Sequence, residues 1–337
     1  MSKLEILRNP TADVCHALGS HANDYIFHTH EFFEIFDRAK NIEAVGVLVS
    51  NESTHDGYFN AFKMKANQFL PSIVQSRHTI FASPILNESA ERKTFYDFML
   101  PEIAKRFKDE SLFVEWRNSE PPDAYRIVFE KHGWSYLPYQ NYLINVERDV
   151  EQIWKSIDKY ARGNIQKAKS KGVVVRTVAE TELDESYNMI FSLYTKKRIP
   201  LFDKSVFQDA YRLLAPKGML RVTVAIVDDT IVGTRWGLLH NGIVFDWYAA
   251  SDRGFSNCYP NEVLAWDLIE YGATNGFKVF DFGGAGIKGE HYGPAKFKQK
   301  FNGELVEHGR FYKAFRPRLY RTMSYLYEKR KQFAESR

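Results

Sequence analysis

The segment Gly284-Ala285-Gly286-Ile287-Lys288-Gly289 has the G-x-G-x-x-G spacing with which backbone N–H groups cradle a pyrophosphate, and it follows a strand-like run. A dinucleotide fingerprint must open directly into a helix and be followed by an acidic residue about 20 positions on. Here Tyr292, Gly293 and Pro294 intervene and a strand-like tail follows, so that chemistry is rejected. Asp281-Phe282-Gly283 imitates a kinase metal-binding triplet, but no VAIK-like strand or HRD loop precedes it. No HExxH, GxSxG or P-loop occurs, and the 10 His residues show no metal-ligand spacing. Metal and serine-hydrolase chemistry are unsupported, and neither a metal nor a tightly bound cofactor is expected.

The elements that would carry these residues follow from periodicity and punctuation. Strand-like runs are expected at Ala44–Val49, Phe59–Lys65 and Thr79–Leu86, then a helix at Ser89–Phe107 and a strand at Leu112–Arg117. A helix at Asp123–His132, started by Pro121-Pro122 and stopped by Gly133, precedes a strand at Tyr139–Val146. The second half gives nearly the same string. Helices at Glu182–Lys197 and Lys204–Leu214 lead to strands at Leu220–Val227, Ile231–His240 and Ile243–Ala249, joined by Asp228-Asp229 and Asn241-Gly242 hairpin turns. A helix from Asn261 to Thr274, a strand at Lys278–Phe282, a Gly-rich loop and a strand near Glu304–Tyr312 complete it. The order matches the GNAT acyltransferase fold used twice. The expected joint is a long basic helix, Val150–Lys171, carrying Lys155, Lys159, Arg162, Lys167, Lys169 and Lys171, which reads first as a solvated face. The closing segment Arg316–Arg337 reads as a basic helix that packs back on one domain.

Composition bounds the class. At 337 residues, two domains with their own cores are expected. A net charge of +4 with 44% hydrophobic residues argues against disorder. The 15% aromatic content points first to a Phe-rich core and second to stacking surfaces. Cys15 and Cys258 lie in no CxxC spacing, which fits a reducing compartment without disulfides. No signal-like apolar region opens the chain and no run is long enough to span a membrane, so a cytoplasmic protein is expected. A pI of 8.7 permits an anionic partner without requiring one.

Several segments of the second half resemble the Fem family of peptidoglycan-bridge aminoacyltransferases and their BioF2-like relatives. They are Arg162-Gly163-Asn164-Ile165-Gln166-Lys167-Ala168 running to Gly172-Val173, Trp247-Tyr248-Ala249-Ala250-Ser251, Pro260-Asn261 leading Leu264-Ala265-Trp266, Phe280-Asp281-Phe282-Gly283-Gly284, and Phe297-Lys298-Gln299-Lys300-Phe301-Asn302-Gly303. The resemblance covers about Val150 to Phe311. It implies an α+β protein of two tandem GNAT-like domains, residues 1–146 plus 316–337 and 147–315, with a substrate cleft between them and no helical arm.

The implied chemistry is transfer of an acyl or aminoacyl group to an amine, which needs a neutral nucleophile, a held acceptor and a stabilised oxyanion. By resemblance Lys298, beside the backbone amide of Phe297, faces the developing negative charge. Asp281 orients a base or the Gly-rich loop. Arg198 contacts an anionic part of the acceptor, Tyr248 lines the cleft, and Arg162 and Asn261 complete the substrate-binding set. The donor implied is aminoacyl-tRNA and the acceptor a cell-envelope precursor, worked on in the cytoplasm or at the inner face of an anionic membrane. Two departures keep alternatives open. Where an acetyl-CoA enzyme has an R/Q-x-x-G-x-G/A turn, this chain has Asp252-Arg253-Gly254-Phe255-Ser256-Asn257-Cys258-Tyr259-Pro260. Near His28–Lys40, where the family can supply a lysine to the acceptor, it has Glu31-Phe32-Phe33-Glu34-Ile35-Phe36. An acyl-CoA-dependent N-acyltransferase and a non-catalytic nucleotide-sugar or muropeptide binder are the alternatives.

Overall fold

A computed structural model of the chain describes all residues except 1, 9, 12–13, 15–23, 52–53, 66–71, 89, 291 and 336–337. Cys15 and Ser89 therefore lie outside the described residues. The first elements are β1 (Lys3–Leu7), α1 (His30–Asp37), β2 (Ile42–Ser50), β3 (His55–Lys65), α2 (Ser72–Gln75), β4 (Ser76–Phe81) and β5 (Ile85–Leu86). They are followed by α3 (Arg92–Phe107), β6 (Phe113–Arg117), α4 (Arg126–Lys131), β7 (Ser135–Leu137), β8 (Tyr139–Asn145), α5 (Val150–Ser156) and α6 (Lys159–Ser170). Next come β9 (Val174–Thr177), α7 (Leu183–Lys197), α8 (Lys204–Leu214), β10 (Leu220–Val227), β11 (Thr230–His240), β12 (Ile243–Ser251) and α9 (Pro260–Thr274). The chain closes with β13 (Val279–Ile287), α10 (Gly293–Gln299), β14 (Glu304–Glu307), β15 (Arg310–Ala314) and α11 (Pro317–Glu335). These elements form two compact units, residues 1–139 with 307–337, and residues 140–306.

The sheet of the first unit runs β1-β2-β3-β4-β6-β15-β7, with β5 paired to β3. Only β4 and β6 pair in parallel there, because α3 carries the chain back between them. The aromatic richness of the sequence goes into this unit's core. Trp116 touches Phe59, Tyr96 and Phe129, and Phe129 stacks on Phe311 at 3.9 Å. The Glu31–Phe36 segment is part of α1, started by the Thr29 hydroxyl accepting from Phe32 N–H, and buries Phe32, Phe33, Ile35 and Phe36.

The second unit has the order β14-β8-β13-β12-β11-β10-β9, and β12 pairs with β13 in parallel. Both hairpin turns are as expected: Asp228-Asp229 and Asn241-Gly242 all have positive φ, the requirement of a two-residue turn that matches strand twist. Ser186 of α7 hydrogen-bonds Thr234 and Trp236, whereas Gly233 and Gly237 face Leu264 and Leu268 of α9. Alternation along β11 thus puts α7 and α9 on opposite faces of the sheet.

Four sequence expectations need correction. The unit limits lie at 139/140 and 306/307, not 146/147 and 315/316, because β8 enters the second sheet and β15 the first. The Val150–Lys171 helix is two helices. Ile157 is extended, and Asp158 caps α6 by accepting from Tyr160 and Ala161 N–H. The expected strand near Glu304–Tyr312 is two strands in different sheets. The Gly-rich stretch is no loop: β13 runs through it to Ile287, with Gly283 and Gly286 at φ +66° and +96°. The sequence expectations include none of β1, α1, α2, β7, β9 and α10. No helix of the second unit exceeds 15 residues, so no helical arm occurs among its described residues.

A Cβ added at Gly237 would stand 2.7 Å from Leu268 Cδ2, so this glycine sets the distance between β11 and α9. Gly237→Val is expected to cost about 1–3 kcal/mol through overpacking, read as a lower urea midpoint.

Candidate active site

The parallel pairing of β12 with β13 covers only Ile243–Phe245 against Val279–Asp281, although both strands run on, to Ser251 and Ile287. Beyond Phe245 the two strands part. A bulge helps: Gly237 faces Asp246 and Trp236 faces Tyr248, so Trp247 is the extra residue of β12.

Lys298 of α10 fills the place where β13 has lost its partner. Its Nζ donates to the carbonyls of Phe282 at 2.6 Å and Gly284 at 2.8 Å. Phe297 packs on Phe301 at 5.3 Å and anchors α10 to the core shared with α9. Burial pushes the Lys298 pKa down from 10.5 to about 8, against the pull of Asp246 and Asp281, which favour the charged form; Arg235 adds to the lowering. The residue as a whole is half-buried, so the ammonium end is the buried part.

Asp281 is buried, and its Oδ1 accepts from Gly283 N–H at 2.7 Å and Asn141 Nδ2 at 2.6 Å. It thereby fixes the bend at Gly283 that turns the Phe282 and Gly284 carbonyls to Lys298.

Two charged residues that sequence reading passed over belong to the same cluster. Arg235 Nη1 donates to Asp246 Oδ2 at 2.7 Å, and the two side chains are 2% and 9% exposed. The Arg235 guanidinium also lies 5.9 Å from the Phe297 ring. The signal was present: one Arg in Ile231–Leu239 and one Asp in Ile243–Ala250, on strands facing across an Asn-Gly turn, must either meet or face water. Tyr194 of α7 approaches from the other face. Burial, helped by Tyr292 and Asp246, raises its hydroxyl pKa to about 12. Its ring lies 5.5 Å from that of Tyr248.

Residues 155–299 match the acetyltransferase (GNAT) domain family. That stretch makes up most of the second unit. Among solved structures the whole fold is similar to FemX, at 14% identity and a TM-score of 0.71 over 94% of this chain and 99% of FemX. It is also similar to the tandem GNAT protein of the clavulanic acid biosynthesis pathway, at 8% identity and TM-score 0.55 over 93% and 99% of the two chains. A third likeness is the C-terminal domain of a lysylphosphatidylglycerol synthetase from Agrobacterium fabrum, at 12% identity and TM-score 0.51 over 75% and 79%. No curated protein sequence matches the chain. The tandem GNAT fold of the Fem type expected from the motifs is therefore the fold observed.

Within the GNAT domain the remaining expected residues are dispersed. Tyr248 packs against Phe207 at 4.9 Å as well as Tyr194. Asn261, at the start of α9, donates to Ser251 Oγ at 2.7 Å and ties that helix to the end of β12. Arg198 is exposed and closes α7 in a left-handed conformation at φ 53°. Arg162 is not with the others: its Nη1 donates to the carbonyls of Lys155 at 2.5 Å and Ile157 at 2.8 Å, so its guanidinium caps the end of α5 and is committed to backbone. Arg162 therefore stands apart from the Lys298 cluster, holding a helix end with one of its nitrogens. The hollow of about 350 Å³ lined by Lys217, Met219, His240 and Phe277 lies at the turn end of β11–β12 and includes none of these residues. No cluster of three or more His, Cys, Asp or Glu able to hold a metal occurs among the described residues, and none of their helices is long and apolar enough to cross a membrane.

The Lys298 shift has a sign that stability can report. The unfolded chain keeps this proton up to the ordinary 10.5 and the folded chain only to about 8. Between those values the unfolded state binds more protons, so the Lys298 contribution to stability rises with pH. Urea midpoints between pH 8 and 10 should include that rise in the wild type and lack it in Lys298→Met.

Proposed function

We propose that the protein is a Fem-type N-acyl- or aminoacyltransferase that forms an amide on an amine of a cell-envelope precursor. The observation that carries this reading is the fixed ammonium of Lys298 where β12 and β13 part, inside a GNAT-type domain. An ammonium has three N–H donors. Two are held by the Phe282 and Gly284 carbonyls, and the third is left for an oxygen that becomes negative only as the tetrahedral intermediate forms. Because the donor is already oriented, it needs no reorganisation when charge develops. Asp281 positions the Gly283 bend, and exposed Arg198 offers a planar fork to a phosphate or carboxylate of the acceptor. Tyr248, packed between Tyr194 and Phe207, lines the same region, and Asn261 holds β12 against α9.

Lys298→Met is expected to lower kcat by about 10²–10³, the usual effect of losing one oxyanion donor. The acceptor KM should stay near wild type, since the interaction belongs to the transition state. Full turnover by this variant would remove the oxyanion role.

Aminoacyl-tRNA is the donor in this reading. The GNAT domain match favours a second donor, acyl-CoA. The loop before α9 lacks a glycine cradle, but it is a 3-10 turn, Arg253–Cys258, next to Lys167 of α6 and Lys171 at that helix's C-terminal cap. Lys171 Nζ donates to Asn257 O at 2.9 Å, and Lys167 and Lys171 each lie 6.0 Å from the Tyr259 ring. Acetyl-CoA should raise the melting temperature in proportion to ln(1 + [L]/Kd) if the second donor is correct. No shift at millimolar acetyl-CoA leaves aminoacyl-tRNA as the donor.

A further inference from the structure

Asp246 is the first residue of β12 beyond the last one paired to β13. One of its oxygens, Oδ2, is held by Arg235 at 2.7 Å. The other, Oδ1, is buried and meets no hydrogen-bond donor, and Arg235 Nε is buried and unmet as well. An unmet buried acceptor costs about 1–3 kcal/mol, and a buried ion pair contributes little net stability in return. Core packing therefore gives no reason for this oxygen to be where it is.

Its surroundings do. Asp246 bears electrostatically on Lys298 from the α9 face and on Tyr194 from the α7 face. Geometry agrees: the Asp246 carbonyl lies 3.6 Å from where a Cβ on Gly283 would stand, and Gly283 is flanked by the Phe282 and Gly284 carbonyls that hold Lys298. Charge selects the occupant. Arg235 and Lys298 are positive and Asp246 and Asp281 negative, so the cluster already sums to zero. An ammonium on Oδ1 would leave an uncompensated buried charge. A neutral amine meets the oxygen with an N–H and adds none.

We propose that Asp246 Oδ1 receives the attacking amine of the acceptor, orients its lone pair toward the acyl carbon and takes its proton. This rests on the acyl-transfer reading above and assigns that reaction its general base. As the N–C bond forms, the carbonyl electron pair moves to oxygen, where Lys298 meets it, and the amine proton passes to Oδ1. Collapse of the intermediate re-forms the carbonyl and breaks the bond to the departing oxygen or sulfur of the donor. That atom leaves with the proton from Asp246, and the carboxylate is restored.

The test is steady-state kinetics of Asp246→Asn with a donor–acceptor pair that the wild type turns over. Loss of a general base is expected to lower kcat by about 10²–10⁴, with the acceptor KM within a few-fold of wild type. The alkaline limb of the rate profile, set by Lys298 near pH 8 among Asp246, Asp281 and Arg235, should move to lower pH, because the lost carboxylate no longer favours the charged lysine. That shift follows from the lost charge whatever role Asp246 plays, so the base assignment is read in kcat with KM held. Wild-type kcat in Asp246→Asn overturns the proposal. Should that variant fail to fold with Arg235 unpaired, Asp246→Glu keeps the ion pair but moves the oxygen; a wild-type melting temperature with kcat down about tenfold or more supports the base, and unchanged kcat overturns it. Absence of turnover by the wild type with both aminoacyl-tRNA and acyl-CoA donors would instead overturn the acyl-transfer reading, and this proposal with it.

Discussion

Where β12 and β13 separate, the backbone of a central strand loses the ladder partner that every buried carbonyl needs. The rest of the second unit is arranged around that loss. Lys298 supplies two of the missing donors, to Phe282 and Gly284, and so the ammonium and the gap maintain each other. The geometry demands glycine. Gly283 and Gly286 both have positive φ, and a Cβ at Gly286 would lie 2.8 Å from Tyr292 Cβ. The bend toward the lysine is made at Gly283, just before the G-x-G-x-x-G spacing, and of the motif's glycines Gly286 is the one held against Tyr292.

What the sequence made legible was local. Asn241-Gly242 specified its turn because few dipeptides accept two consecutive positive φ values. The α9 helix was bounded by Pro260 and by the Asn275-Gly276 stop. Lys298 and Asp281 were found through motif resemblance, and they do share one cluster in the structure. The misses were nonlocal. Nothing in the neighbours of β8 or β15 reveals that each is taken up by the sheet of the other half of the chain. Arg162 sits in a family-like run, yet its partners are the carbonyls of a helix end that the sequence reading did not see, because Asp158 was read as helix interior rather than as a cap. Asp246 and Arg235 needed the bulge at Trp247, which determines that residues offset along the hairpin meet.

The two units also differ in how they treat a buried carboxylate. Glu115, in the first unit, stands on β6 beside the parallel pair β4–β6, which stays in register over Arg77–Phe81 against Phe113–Arg117. Both its oxygens are engaged, Oε1 by Arg310 at 3.0 Å and Oε2 by Arg117 at 3.0 Å. Burial alone would raise its pKa, but Arg117, Arg310 and Arg77 outweigh burial and hold it well below the usual carboxylate range. That is a carboxylate satisfied in place, with the strands beside it fully paired.

Asp246 lies one residue past the end of the second unit's parallel pair, whereas Glu115 lies at the middle of the first unit's, and it is left half-satisfied where the strands have parted. If the second sheet were built for stability alone, closing β12 onto β13 would satisfy more backbone and free Lys298 for solvent. Unmet polar atoms persist in folded proteins where their partner arrives later. The contrast between Glu115 and Asp246 supports the proposed site in the second unit without recourse to any motif, because the same carboxylate-and-arginine device is complete in one sheet and open by one hydrogen bond in the other.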